Sequence, residues 1–264
     1  SEDPDVDGLT NLKEIELGSS PIATDTDEDG VDDGTEESAG HSPIDPRDNV
    51  PIPVHDGDQW AVLGDLVSID GSNSRDPNLD LLTYTWNITV PAGSAITDVD
   101  DPTASIATFT PDAAGSYDLE FLVSDGKVSR SSTLIVEVVD GSIVPTDYPT
   151  ITEAIAGSSF GGTIILEPGS YAENLNLEGK DIRLVGRGDA NSTIIDGSLL
   201  GTVIIGVAEE EITLANLTIT GGYAENGGGL QLGGGAVLHA HNVIIRDNFA
   251  SQHGGGLYIE RGTL

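Results

Sequence analysis

The chain of 264 residues carries 45 acidic against 10 basic side chains, a formal net charge of -35, and has 34 Gly, 13 Pro and neither Cys nor Met. That balance excludes a nucleic-acid binder, because phosphate recognition needs clustered Lys and Arg, and the length exceeds that of one small domain. Without Cys, disulfides and thiolate metal sites are excluded, so any metal must be held by oxygen or imidazole, which makes calcium the natural candidate; no apolar run reaches the roughly 18 residues of a membrane span.

The charge is unevenly spread. Residues 1–50 hold 16 acids and 2 bases, residues 51–140 hold 15 and 3, and residues 141–264 hold 14 and 5. Acid density is highest where hydrophobic content is lowest, and a segment of that kind stays disordered unless something neutralises it. The other two stretches carry strong apolar periodicity. The chain therefore divides into three modules in series, 1–50, 51–140 and 141–264.

The first module begins Asp3-Pro-Asp5-Val-Asp7-Gly8 and reaches Glu14; the same pattern returns 22 residues later as Asp25-Thr-Asp27-Glu-Asp29-Gly30 and closes at Glu36. Carboxylates at loop positions 1, 3 and 5 point at one centre while Gly at 6 permits the sharp turn. A carbonyl at 7 and a Glu at 12 complete a shell of oxygens around calcium. The expected ligands are Asp3, Asp5, Asp7, the Leu9 carbonyl, Asn11 and Glu14 in one loop, and Asp25, Asp27, Asp29, the Val31 carbonyl, Asp33 and Glu36 in the other. A short helix over Asn11 to Leu17, ended by Gly18, is expected to use Leu9, Leu12 and Ile15 as its apolar contact. The competing reading is a disordered acidic leader, and two complete matches in fixed phase favour calcium over it. The passage "LTNLKEIELGSSPIATDTDEDGVDDGTEE" resembles the thrombospondin type 3 calcium repeats of bacterial surface proteins, over residues 3 to 48. The resemblance implies a calcium-filled, elongated stalk with little hydrophobic core, although Ser19-Ser20-Pro21 and His41-Ser42-Pro43 replace the extra acid the family places before Pro.

After Pro51 to Pro53, period-2 alternation takes over. Leu82, Tyr84, Trp86, Ile88 and Val90 fall on one face of a half-buried strand; Tyr117, Leu119, Phe121 and Val123 repeat the pattern, as do Leu134, Val136 and Val138. Turn signals at Asp76-Pro77-Asn78, Pro91-Ala-Gly93, Pro111-Asp112 and Asp125-Gly126 predict about seven short strands, the signature of an antiparallel β-sandwich. "IDGSNSRDPNLDLLTYTW" and "FTPDAAGSYDLEFLVSDGKVS" resemble the PKD domain, an immunoglobulin-like module, with Trp86-Asn87-Ile88-Thr89 in place of the family's W-D-F-G-D-G stretch. The resemblance implies a spacer or contact role without chemistry. Asp76, Asn78 and Asp80 are read as shaping a turn in preference to binding a cation. Trp86 is assigned to the core, and Trp60 is left open between core and sugar platform.

In the third module Thr150-Ile-Thr-Glu153 reads as a capping box before a helix over Ile151 to Ala156, with Ile151 and Ile155 inward. Gly-rich turns then alternate with short aliphatic runs. A repeat with a period near 27 follows: Gly227-Gly-Gly-Leu-Gln-Leu232 recurs as Gly254-Gly-Gly-Leu-Tyr-Ile259, while Tyr223 recurs as Phe249 and Asn216 as Asn242. Such periods mean a solenoid whose coils bury their apolar faces by stacking, so Leu230 should meet Leu257, Leu232 meet Ile259 and Tyr223 meet Phe249. "DYPTITEAI" and "GTIILEPGSYAENLNLEGKDIRLVGRG" resemble the cap and first coils of the right-handed parallel β-helix of the pectin-lyase-like superfamily, and "IRDNFASQHGGGLYI" is similar to the repeats of polymorphic outer membrane adhesins. The overall fold class is mainly β: a calcium-loop stalk, a sandwich and a β-helix.

No catalytic constellation stands out. Beyond Asp196 the acids are Glu209 to Glu211, read as a solvated turn, with Glu225, Asp247 and Glu260. His239 and His241 are expected to project from one outer face, without a third ligand. Sequons stand at Asn87, Asn191 and Asn216, the last read as a stacking Asn. The expected function is an exported, calcium-binding surface or adhesion protein, secreted or cell-surface, whose β-helix meets a polysaccharide or another cell. The alternative is a fragment of a secreted pectate-lyase-like enzyme with catalytic coils beyond residue 264. The missing initial Met and the stop at Thr263-Leu264 in mid-coil lead to the expectation of a longer natural protein. Part of the acidity can also serve salt adaptation.

Overall fold

The computed structural model describes residues 2–46, 50–77, 80–206 and 208–260; Asn78, Thr263 and Leu264, named above, lie outside them. The protein is mainly β, with about 42% strand and 8% helix. No helix among the described residues is long and apolar enough to cross a membrane. The chain splits into two compact units: residues 1–58, 66–112 and 116–136 form the first, and residues 59–65, 113–115 and 137–264 the second.

In the first unit, two short helices, Asn11–Leu17 and Asp33–Ala39, end on left-handed glycines, Gly18 at φ 86° and Gly40 at φ 84°. The first occurs where the sequence places it, yet its buried side is not the expected one. Leu9 is buried, whereas Leu12 and Ile15 stand 68% and 69% exposed. The residue the helix buries is Glu14, fully removed from solvent. The apolar spacing misled because the helix turns Glu14 inward, toward Asp7 and Asp33, and leaves Leu12 and Ile15 in solvent.

The rest of the first unit is antiparallel. Strand Val67–Asp70 pairs with Ile106–Phe109, and Thr83–Thr89 pairs with Gly115–Ser124, Trp86 opposite Phe121. Apolar contacts run between these pairs: Phe109 meets Tyr117 at 5.3 Å between ring centroids, and the Phe121 ring lies so close to Gly71 that no side chain fits there. Trp86, Tyr117, Leu119, Phe121, Val123, Leu134 and Val136 are buried as the alternation predicts. Among the described residues, six strands occur between residues 51 and 140 where about seven are expected; Asp100 makes an isolated bridge to Thr108.

The second unit is a β-solenoid of about five turns. Its strands pair in parallel from coil to coil, so each apolar side chain stacks on its counterpart: Ile164, Leu184 and Leu214 in one ladder, Leu175, Ile204, Leu230 and Leu257 in another. The predicted pairs Leu230–Leu257, Leu232–Ile259 and Tyr223–Phe249 are all in register, and the last two rings stack at 5.1 Å. Asn216 and Asn242 both take left-handed φ, 53° and 49°, and Asn242 Nδ2 donates to Asn216 Oδ1 at 3.1 Å. Asn suits this position because it tolerates left-handed backbone while its amide satisfies its neighbour.

Helix Ile151–Gly157 lies between the first two stacked strands of the solenoid, Ser142–Val144 and Gly162–Leu166. Thr150 Oγ1 accepts from the Glu153 N–H, the predicted half of the capping box. Glu173, unforeseen from sequence, accepts from the N–H groups of Ile151 and Thr152 at 2.9 Å each. Trp60 is also resolved: it packs on Val139, Val185 and Ala215 and meets His241 in a tilted ring contact, centroids 5.3 Å apart, with the Asn216 amide donating to its carbonyl. Arg187 donates from Nε and Nη2 to both oxygens of Asp65, a bidentate pair of the kind that fixes geometry as well as charge, and from Nη1 to Glu167.

Close backbone approach sets the glycine runs. A Cβ on Gly228 would collide with the Phe249 carbonyl oxygen and lie 2.7 Å from that of Gly255. Gly169, by contrast, has no atom nearer than 3.9 Å. Gly228→Ala is expected to destabilise the solenoid by about 1–3 kcal/mol, as overpacking does, while Gly169→Ala changes it by less than about 1 kcal/mol. Urea denaturation of the two variants beside the parent chain checks this.

Candidate metal centre

The two acidic loops share one backbone plan. Val6 and Glu28, in the fourth position of each, have φ 66° and 61°, and Gly8 and Gly30, in the sixth, have φ 99° and 96°. Side chains pin the turns. Asp3 accepts from the N–H of Val6 at 2.8 Å and of Gly8 at 3.3 Å, and Asp25 accepts from the Gly30 N–H at 2.9 Å. Asp7 and Asp29 each accept from the N–H two residues on, Leu9 at 2.7 Å and Val31 at 2.9 Å. These contacts use one oxygen of several carboxylates and leave the others turned inward.

Three groups of carboxylates result, each with one oxygen per residue within 4.8 Å of the others: Asp3, Asp5 and Asp7; Asp25, Asp27 and Asp29; and Asp7, Glu14 and Asp33. The first two are the position 1, 3 and 5 sets of the sequence. In the third, Asp33 lies with residues of the other loop. Its own loop still orients it, because Thr26 donates to its two oxygens from N–H at 2.7 Å and from Oγ1 at 2.6 Å. Leu9 and Val31 are buried, Asn11 Oδ1 is buried without a hydrogen-bond partner, and Glu36 is fully buried on its helix outside these three groups.

The close contact between loops depends on Gly34, where a Cβ would run into the Asp7 carbonyl oxygen. Lys13 and Glu37, at 3.0 Å, tie the two helices on the solvent side. Neither feature belongs to the loop motif, and neither was singled out from sequence; an unexplained Gly directly after Asp33 was the available signal.

The electrostatics are unfavourable without a cation. Both carboxylate oxygens of Glu14 and both of Asp5 are buried with no hydrogen-bond partner, as are Asp7 Oδ2, Asp25 Oδ1 and Asp29 Oδ2. Burial, then Asp5, Asp7, Asp33 and Asp3 in turn, push the Glu14 carboxyl above its ordinary pKa. Asp7 is pushed up by burial and by Asp5, Asp33 and Asp3, against the opposing hydrogen bond from Leu9. Buried carboxylates are ordinarily paired, hydrogen-bonded or bound to metal. A set of acceptors with no donors, all oxygen, fits a hard divalent cation of calcium's type.

Elsewhere the candidate residues do not converge. Among the described residues, groups of three potential ligands occur only within residues 3–33. His239 and His241 do share an outer face, but His239 pairs with Glu211 at 3.3 Å and His241 lies under Trp60. Of the three glutamates expected in a solvated turn, Glu209 is exposed in a bend, Glu210 is buried with Oε2 accepting from the Ala208 N–H, and Glu211, though exposed, opens the strand Glu211–Thr220. Asp247 pairs with its neighbour Arg246, and Glu225 accepts from Gln252. Asp76 Oδ1 accepts from the Asp80 N–H at 3.3 Å, in keeping with a turn.

No family model matches the chain, and no curated protein matches it. Among solved structures it is similar to a nucleoside hydrolase-related hypothetical protein from Saccharophagus degradans that is associated with carbohydrate metabolism, at 18% identity and TM-score 0.31 over 42% of this chain and 33% of that one. It is also similar to the PKD domain of the KIAA 1837 protein, at 26% identity and TM-score 0.27 over 31% of this chain and 79% of that one. A third is an α-galactosidase-like protein from Bacteroides fragilis NCTC 9343, at 10% identity and TM-score 0.26 over 52% of this chain and 37% of that one. The chain spans about a third of the first of these structures.

A carboxylate whose pKa rises on folding destabilises the fold once pH exceeds its unfolded value, because the ionised form is the one the pocket disfavours. Glu14→Gln is therefore expected to raise the thermal midpoint of the chelator-treated protein at pH 7, and the gain to vanish near pH 4, where the parent Glu14 is protonated. Thermal denaturation at both pH values checks it.

Proposed function

We propose that this chain is part of an exported surface or adhesion protein. Its acidic leader is a calcium-rigidified stalk resembling thrombospondin type 3 repeats, its PKD-like β-sandwich is a spacer, and its solenoid, of the pectin-lyase-like kind, offers an outer face to a polysaccharide or cell surface. The observation that carries the calcium assignment is Glu14, fully buried with neither oxygen hydrogen-bonded and four aspartates around it. Calcium would be held by Asp3, Asp5, Asp7 and Glu14, with Asn11 and the Leu9 carbonyl, and in the second loop by Asp25, Asp27, Asp29 and Glu36, with the Val31 carbonyl. The ion would supply the positive charge that the pocket lacks.

An extracellular setting follows from the calcium assignment. Extracellular calcium modules have dissociation constants of ~0.1–1 mM, matched to millimolar calcium outside cells. An ion at ten times its dissociation constant adds about 1.4 kcal/mol to the ordered state by mass action. The role proposed for the solenoid rests on the resemblance of residues 141–264 to β-helices that meet polysaccharides.

Limited proteolysis under a calcium titration tests the stalk. Cleavage within residues 1–50 should be fast in chelator and slow at least about tenfold by ~1–5 mM calcium, with magnesium much less effective. Cleavage equally fast at every calcium concentration would remove the basis of the stalk.

A further inference from the structure

The motif assigns Asp33 to the second loop, at its ninth position. The fold takes it elsewhere. One of its oxygens lies within 4.8 Å of ligand atoms of both Asp7 and Glu14, which belong to the first loop, while the second loop's own group consists of Asp25, Asp27 and Asp29. Asp33 is buried, and Thr26 hydrogen-bonds from two directions hold it in place. The Gly34 backbone, against the Asp7 carbonyl, brings the second helix close enough for this reach. We infer that Asp7, Glu14 and Asp33 form a divalent-cation site that belongs to neither repeat alone, so that the first repeat binds its ion with a ligand borrowed from the second.

The independent observation is Glu14 itself. Its carboxylate is fully buried, neither oxygen has a hydrogen-bond partner, and it is directed at Asp7 and Asp33. Thr26 and the Leu9 N–H position Asp33 and Asp7 but supply no positive charge, and Glu14 has no donor at all, so three carboxylates this close are stable together only around a cation. No Lys or Arg side chain takes part in these contacts among the described residues; Lys13 is paired outward with Glu37. The consequence reaches beyond the number of ions. An ion bridging the repeats makes their relative placement depend on calcium, so filling the first repeat orders the second.

This inference rests on the calcium reading, and the experiment separates the two. Calcium binding to the full chain is measured by isothermal titration after chelator treatment, in a parent variant, Asp25→Asn, whose second loop is disabled. Calcium should still bind, at the first repeat. Adding Asp33→Asn, in the repeat already disabled, should weaken that binding at least tenfold. Adding Asp32→Asn, which removes the same charge from the exposed neighbouring position, should weaken it less than threefold. Equal effects of the two changes, or none from Asp33→Asn, would overturn the shared site while leaving calcium binding intact. Failure of the unmutated chain to bind calcium at all would overturn the calcium reading, and the shared site with it. A merely structural role for Asp33 is distinguished in chelator: there Asp33→Asn should leave the thermal midpoint unchanged or higher, because like charge is relieved, whereas loss of a structural contact would lower it and would overturn the assignment.

Discussion

Negative charge that is buried without a donor is the constraint on which the N-terminal part of this protein depends. The leader folds Glu14 and the carboxylate oxygens of Asp5 out of solvent and surrounds them with more carboxylates. Two helices of seven residues each cannot offset that by their own stability, since isolated helices of such length do not persist in water. Nor do apolar contacts suffice, with Leu12, Ile15 and Ile22 exposed. The proposed ion would supply the missing charge, and folding of the leader would then respond to its surroundings.

The solenoid rests on different physics. Its coils stack because aliphatic side chains repeat in register and because glycines let backbones approach where any Cβ would collide, as at Gly222, Gly228 and Gly229. Asparagines at left-handed positions within the strands hydrogen-bond from coil to coil. None of this requires an ion, so a chelator should leave the solenoid standing.

What could be read from the sequence follows from how local each determinant is. The loop motif fixes its own turns, so Asp3, Asp5 and Asp7 converge as expected, and so do Asp25, Asp27 and Asp29. Period-2 alternation placed Trp86 and Tyr117 inside because side-chain direction in a strand is set by neighbours in the chain. The Gly-Gly repeat gave the coil register, because identical coils stack identically. Residues used across long distances escaped. Asp33 was assigned to its own loop because nothing in the motif shows the neighbouring repeat. Leu12 and Ile15 were expected inside because helical spacing does not reveal what a helix packs on. Glu173 caps a helix some twenty residues earlier, and Trp60 meets strands far along the chain; both pairings exist only once the coils are wound.

The most direct test is a crystal of the chain grown in millimolar calcium, with data collected where calcium scatters anomalously. The account predicts anomalous peaks inside the acidic loops, about 2.3–2.6 Å from the oxygens of Asp3, Asp5, Asp7 and Glu14 in the first and of Asp25, Asp27 and Asp29 in the second. Carboxylates spread apart into solvent, with no peak between them at saturating calcium, would contradict it.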